Sequence, residues 1–519
     1  MLKLRSLHIV LAIAFITLLA GCAITPETRA RSAPAALRLA PAEGLVALKI
    51  TANRPTVNMH FHRFKWTMLT VRNVDTRVAT TIDDRSDWSA EHSLFLQPLP
   101  AGVYEIEALV GGNLTWRAKA RHDLPTFRIE PGKLTELGTL AHVRRHFPVD
   151  SNQFIWVQQS SPLDREAVLR QLDPSLSSML RSASDNSWIE DDRLDSLRAD
   201  FAALKQLTMR ALSPVICSDG TLLLGESFGQ ISVRSPSGDW TWIQTPTALP
   251  IRAVYLAQDG SLYAGSDDGT LLIRKAESTD WESLALPVND ASVIHVSNLP
   301  HSDQIFVVLQ TRDRFIGLST SVASGGAWKE QFSRPRALFF SSTMDAIGMV
   351  LQSEKRIVVA TGGMESKLEV LVLDQGSENW RVANLDESGT PTDWTAIPGG
   401  NIGRFRGIPL TGMYFSTSQD GGITWEKRGN LNWVSGSRPL FVSDQTGYVI
   451  RRDTIRAPIF SLWNTDDSGR TWSKVGPVPG FGRLIRLAGE GNIAYASMDG
   501  KFFVSNDFGK TWRLERELE

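Results

Sequence analysis

Four arginines recur just ahead of apolar runs in the second half of the chain. They are Arg252 in Ile251-Arg252-Ala253-Val254-Tyr255, Arg336 in Pro335-Arg336-Ala337-Leu338-Phe339, Arg438 in Ser437-Arg438-Pro439-Leu440-Phe441 and Arg483 in Gly482-Arg483-Leu484-Ile485; Arg210, ahead of Leu212-Ser213-Pro214-Val215, is a fifth candidate. A guanidinium keeps its charge and presents parallel N–H donors, so it holds carboxylate or phosphate through two bonds at once. Set at equivalent places around one opening, such residues would make an anion-binding mouth. The plainer expectation is that each ends a strand in water or pairs with a nearby Asp, and only geometry separates the two.

Other candidate chemistry is sparse. His60 and His62 in Met59-His60-Phe61-His62 fall on one face of a strand, where two imidazoles could share a metal. No further His or Cys cluster accompanies them, so packing or solvent-facing histidines are expected and no metal is assigned. Asp259, Asp267, Asp268 and Asp466 lie in Gly-rich turns and read as turn formers, without the fixed ligand spacing of a calcium loop. No catalytic set and no cofactor motif emerges.

The start of the chain carries a location signal. Lys3 and Arg5 precede the apolar stretch Leu7 to Leu19, and Leu19-Ala20-Gly21-Cys22 follows. This is the pattern of a secretory signal, too short for an ordinary membrane span. Its end resembles a bacterial lipobox, which implies cleavage before Cys22, acylation of its thiol and anchoring by the acyl chains. Residue 23 is Ala and not the Asp associated with inner-membrane retention, so the outer membrane is the expected address. Loss of residues 1–21 takes the formal net charge from −1 to −3, which argues against nucleic-acid binding. With Cys22 acylated, Cys217 is left alone and no internal disulfide is expected.

The positioning elements show in a repeat. Tryptophans at 242, 281, 328, 380, 425, 472 and 512 step by 39, 47, 52, 45, 47 and 40 residues. Three of them close a shared motif: Ser418-Gln419-Asp420-Gly421-Gly422-Ile423-Thr424-Trp425, Thr465-Asp466-Asp467-Ser468-Gly469-Arg470-Thr471-Trp472 and Ser505-Asn506-Asp507-Phe508-Gly509-Lys510-Thr511-Trp512. Ser and Asp fold the turn, Gly accepts a positive φ, and Thr and Trp re-enter a strand. Weaker copies end at Trp242, Trp281, Trp328 and Trp380. One motif per 40–50 residues predicts a radial array of small sheets, a β-propeller of seven blades, with six and eight left open. The three strong copies resemble the Asp-box, or BNR, repeat of sialidase-like propellers. That resemblance implies a peripheral hairpin in each blade, and it also implies a test for sialidase chemistry: an arginine triad, a Tyr nucleophile paired with Glu, and an acid/base carboxylate. The nearest phrase to that family's first arginine element is Arg406-Gly407-Ile408-Pro409, which carries an inserted Gly and sits in the fifth repeat.

Ahead of the propeller, Leu45 to Ile50, His60 to Trp66, Val103 to Leu109 and Pro125 to Ile129 read as strands separated by turn signals such as Leu99-Pro100-Ala101-Gly102. They predict a small antiparallel β-sandwich. Leu99-Pro100-Ala101-Gly102-Val103-Tyr104 with Phe127-Arg128-Ile129-Glu130-Pro131-Gly132-Lys133 looks like the carboxypeptidase-regulatory or prealbumin-like sandwiches. Ser161-Pro162 forms a helix start, and Leu194, Leu197, Phe201 and Leu204 recur at helical spacing. The expectation is thus a mainly β chain: signal 1–21, tether 22–38, sandwich 39–147, helical connector 148–210 and propeller 211–519. It would be a lipid-anchored envelope protein whose propeller binds or scaffolds a protein or an anionic glycan; the alternative is an exo-sialidase or related glycosidase.

Overall fold

The computed structural model describes residues 37–52, 66–86, 92–111, 114–118, 124–144, 152–158, 176, 188–189, 212–288, 291–300, 302–311, 314–321, 326–335, 347–353, 355–362, 367–388, 394–408, 412–431, 437–453, 459–497 and 501–516. Every regular element of any length among them is a strand.

Two sheets form the N-terminal sandwich. The first runs β4 (His92–Pro100), β1 (Glu43–Ala52), β8 (Leu134–Arg144) and β9 (Asn152–Gln158), with β1 and β8 parallel. The second runs β3 (Ala79–Asp83), β2 (Met68–Asn73), β5 (Gly102–Gly111) and β6 (Leu114–Arg117), and β7 (Phe127–Ile129) also pairs β5. Alternation assigns the faces. Val46, Leu48 and Ile50 enter the core between the sheets with Leu69, Val71, Phe95, Ile106 and Phe127, while Leu45 and Ala47 join a second cluster on the outer face with Leu94, Leu96, Leu134, Leu37 and Leu176. A sheet covered on both faces explains why the β1 segment reads as an almost continuous apolar run.

β9 carries this domain past the boundary expected at 147, because residues 152–158 pair with β8. Trp188 also belongs to it: its ring packs edge-on against Phe127 and its Nε1 donates to the Leu137 carbonyl at 2.8 Å. The proposed helix start at 161–162 and the helical spacing of 194–204 lie outside the described residues, as do the signal, Cys22, His60 and His62. Among the described residues no helix is long and apolar enough to cross a membrane.

The propeller has seven blades. Seven four-stranded antiparallel sheets, each built from consecutive strands, fall within 212–244, 251–284, 292–335, 347–388, 394–431, 440–478 and 482–516. The first strands of blades 1 to 3 and of blades 4 to 7 are neighbours in turn, which puts first strands on the inside of the ring. Each seam between blades is filled by its own apolar cluster: blades 1 and 2 share Leu223, Ile231, Ile251 and Val254, blades 3 and 4 share Phe306, Val308, Ile357 and Leu371, and blades 7 and 1 share Phe502, Ile485, Leu222 and Leu224. The ring closes without exchange of a strand between the first and last blades.

The recurrent tryptophan is the seam residue. Trp281, Trp328, Trp380, Trp425, Trp472 and Trp512 each stand directly before the fourth strand of their blade and pack into the cluster shared with the preceding blade. In blade 1 this place belongs to Trp240, which meets Phe502 of blade 7 edge-on at 4.9 Å, and not to Trp242, which stays 38% exposed. The final Trp of that weak copy is therefore not its seam residue; Trp240 and Trp242 sit two residues apart on one strand, Trp240–Gln244. All seven seam tryptophans are half-buried and not deeply buried, since each closes the rim of a seam and not its centre.

Candidate functional site: the propeller mouth and the sandwich seam

The three strong motifs fold into one hydrogen-bond circuit. Ser418 donates to Asp420 Oδ1 at 2.7 Å, the Gly422 N–H donates to Ser418 Oγ at 2.7 Å, and the Thr424 N–H and hydroxyl both donate to Asp420. Thr465, Asp467, Gly469 and Thr471 repeat it, as do Ser505, Asp507, Gly509 and Thr511. The bonds from Thr511, first its hydroxyl and then its N–H, with Ser505, pull the Asp507 carboxyl down to about 2. Burial works to raise Asp420 and Asp467, but the bonds from Thr424, Ser418 and Ile423 in the one and from Thr471, Thr465 and Arg470 in the other together hold both below the usual carboxylate range. The glycine at 469 or 509 takes φ of 85° or 82°, and the residue before it follows into the left-handed region, at Ser468 and even Phe508. Asp420, Asp467 and Asp507 thus work within their own turns, and Trp425 and Trp472 finish each turn by donating Nε1 to the carbonyls of Gly422 and Gly469.

These turns join third to fourth strands. Because neighbouring strands are antiparallel, they lie at the opposite end of each blade from the starts of the first strands, where the arginines were expected. Arg252 does lie there. It sits where the pairing of Ile251–Leu256 slips between Ile251 and Ala253, and a bulge of this kind re-aims a side chain. Its Nη1 meets Asp267 Oδ1 at 3.0 Å, so it closes on a carboxylate of its own blade. Arg438, half-buried, follows Ser437, whose hydroxyl accepts the Ile450 N–H, at the head of blade 6. Arg483 is the second residue of Gly482–Arg486, the first strand of blade 7, and burial lowers its guanidinium to about 10. Arg438 and Arg483 therefore stand at the heads of adjacent blades, Arg252 pairs with Asp267 in blade 2, and Arg210 and Arg336 lie outside the described residues.

Asp267 and Asp268 are more than turn formers. They occupy the turn between the second and third strands of blade 2, and the sandwich docks on them. His92 of β4 meets Asp267 Oδ2 through Nδ1 at 2.9 Å, and Lys49 Nζ of β1 lies 3.7 Å from Asp268 Oδ2. Ser292, at the head of blade 3, donates to the Asp267 carbonyl at 2.7 Å and to Oδ1 at 3.1 Å. Burial works to raise Asp268, yet Lys49, the Ser266 hydroxyl, His92 and Thr270 together hold it below the usual range. Asp259 and Asp466 keep simpler company: Asp259 accepts from Ser261, and Asp466 from Asn464. The sequence did carry a signal for this seam: Lys49 and Thr51 interrupt an outer face that Leu45 and Ala47 had made apolar, and His92 lies across the strand pair from Thr51.

The propeller tyrosines are packing residues. Tyr263 is buried and its hydroxyl is pushed up to about 12, chiefly by desolvation; Tyr255 and Tyr448 are raised for the same leading reason. Tyr495 stacks on Phe503 and meets Trp512 edge-on. Tyr414 lies under the Lys427 ammonium. Among the described residues no group of three or more His, Cys, Asp or Glu is placed to hold a metal ion.

No family model matches the chain, and no curated protein matches it. Among solved structures, YCF48 bound to a D1 peptide is 19% identical over 53% of this chain and 85% of its own, with a TM-score of 0.39. YCF48 from Cyanidioschyzon merolae is 14% identical over 58% and 94%, also at 0.39. A candidate 6-phosphogluconolactonase from Bacteroides fragilis is 9% identical over 59% and 92%, again at 0.39. The propeller itself is established by the seven sheets and their seams.

Proposed function

We propose that the chain is an exported lipoprotein, acylated at Cys22, whose propeller serves as a binding or scaffold module in the cell envelope for a protein or an anionic glycan. The placement of the propeller tyrosines supports binding over hydrolysis. A tyrosine nucleophile needs a lowered pKa and a partner carboxylate at an open site, whereas Tyr263 is driven up to about 12 and Tyr255 and Tyr448 are shifted the same way. The sialidase alternative also needs three convergent arginines, and Arg252 is held by Asp267. For an anionic ligand, Arg438 and Arg483 are the residues to test. With its guanidinium at about 10, Arg483 is still a cation at neutral pH.

The test replaces both residues, Arg438→Glu with Arg483→Glu, and compares capture from detergent-solubilised envelope with the parent protein at low and raised salt. Reduced capture by the variant, with an unchanged melting curve and a salt-weakened parent, supports the reading. Equal capture by both proteins refutes the anionic site. Turnover of a fluorogenic sialoside would overturn the binding reading itself.

A further inference from the structure

The contact between sandwich and propeller is polar, where apolar clusters fill the seams between blades. Among the described residues, each apolar cluster belongs wholly to the sandwich or wholly to the propeller, and none spans the two. The described contacts that cross between them are polar. The outer face of the first sandwich sheet offers Lys49 and His92, and blade 2 offers Asp267 and Asp268, with Arg252 beside them; Glu136, opposite Ala47 on β8, is the other ionisable group buried on that sheet. The seam between blades 1 and 2, by contrast, is filled by apolar side chains.

This seam is also under-satisfied. Among the described residues, the hydroxyls of Thr51, Thr139 and Thr270 are buried without a hydrogen-bond partner. Thr51 follows Lys49 on the same face of β1, Thr139 lies directly across from Lys49 on β8, and the Thr270 N–H donates to Asp268. These atoms therefore gather around the Lys49–Asp268 pair. Each such atom loses its hydration without return while the surface stays closed. Opening restores water to all of them at once. Polar interfaces held by charge are the ones along which domains move relative to each other.

We propose that the sandwich is a detachable cap on the mouth of the propeller, held at blade 2 by Lys49 and His92 against Asp267 and Asp268. Docked, it covers the Asp267–Arg252 corner; undocked, it opens that corner to solvent. Capping as control of ligand access rests on the binding reading above, whereas detachment does not.

Backbone hydrogen exchange of the full chain tests this, followed by mass spectrometry at about 50 mM and about 500 mM salt, a range that shortens the screening length several-fold. The amides of 262–274 and 92–96 are compared with those of 493–505, which lie in blade 7. Detachment predicts that the first two segments exchange about tenfold faster at high salt while 493–505 is unchanged. Asp268→Asn should show the fast exchange already at low salt. Exchange at 262–274 that tracks 493–505 at both salts overturns the proposal, because the two domains then open only by global unfolding. Should Asp268→Asn not fold, the salt comparison on the parent chain decides alone. Its outcome is independent of envelope capture, so failure of the cap and failure of the binding reading are told apart.

Discussion

Glu515 should be among the costliest single residues to lose in the propeller, although it stands near the end of the chain. Blades 7 and 1 share no strand, so their seam depends on side chains. Glu515 takes Arg234 through two bonds, Nε to Oε1 at 2.5 Å and Nη2 to Oε2 at 3.0 Å, with both side chains over nine-tenths buried. It also accepts from Trp240 Nε1 at 3.2 Å, and Arg516 lies over the Trp240 ring. Burial works to raise the Glu515 carboxyl, but Arg234, Trp240 and Arg513 together outweigh it and hold it below the usual carboxylate range, so the pair is an ion pair. Glu515→Gln keeps the shape and removes the charge, leaving the Arg234 guanidinium buried with only the Ser235 carbonyl as a further acceptor. Breaking one side of a buried pair costs about 3–5 kcal/mol, a large share of the roughly 5–15 kcal/mol by which domains are stable. Replacing both partners with apolar residues, Arg234→Met with Glu515→Leu, should cost less than either single change, because no charge is left stranded. Urea denaturation of the four proteins measures this. The exposed pair Lys275–Glu282 is the control, and Glu282→Gln should shift stability by under about 1 kcal/mol. If Glu515→Gln costs no more than that control, or the double change costs as much as the single, the reasoning about the seam is wrong.

Three further outcomes can be checked together. Trp472→Ala should destabilise by about 2–3 kcal/mol, below the roughly 3–5 of a fully buried aromatic, because the ring is half-exposed while touching Phe405, Phe415 and Phe441; a thermal melt reads it. His295, held neutral by burial with its pKa near 4 against an ordinary 6.5, takes up its proton only on unfolding across that window. Stability should then fall as pH drops from about 6.5 to 4, by up to about 3 kcal/mol, and be flat above; His295→Gln should remove that slope in melts taken across the range. Cys22→Ala should leave the protein unprocessed or release it from the membrane fraction, and unchanged fractionation with cleavage elsewhere would count against acylation.

The propeller was legible because its signal is local and repeated. A turn that needs Ser or Thr, Asp, Gly and Thr at fixed offsets writes itself into eight residues, and the circuit around Asp420, Asp467 and Asp507 is what those residues make. The weak copies were legible only in part. Trp281 and Trp328 have left the Asp-centred turn and kept the seam, donating Nε1 to the carbonyls of Gln244 and Ala285 in the preceding blade. What persists across all seven blades is thus the packing role and not the motif, which is why counting motifs alone placed Trp242 where Trp240 belongs.

The mouth was less legible, for a physical reason. An arginine before an apolar run states that a cation stands at the head of a strand, but its charge is spent or available according to residues brought from elsewhere. Arg252 meets Asp267 from 15 positions further along, and the same carboxylate meets His92 from 175 positions back. No window of sequence contains both partners. An ordinary reading of Asp267-Asp268 in a Gly-rich turn accounts for Asp268, which does accept the Thr270 N–H as a turn former should. It cannot account for Asp267, whose side chain is wholly buried between two domains and meets the Arg252 guanidinium through Oδ1 and the His92 ring through Oδ2. Burying such a carboxylate is unfavourable unless its partners are in place. Asp267 therefore couples the head of blade 2 to the sandwich: the same side chain that pairs with Arg252 in its own blade also meets His92 of the sandwich.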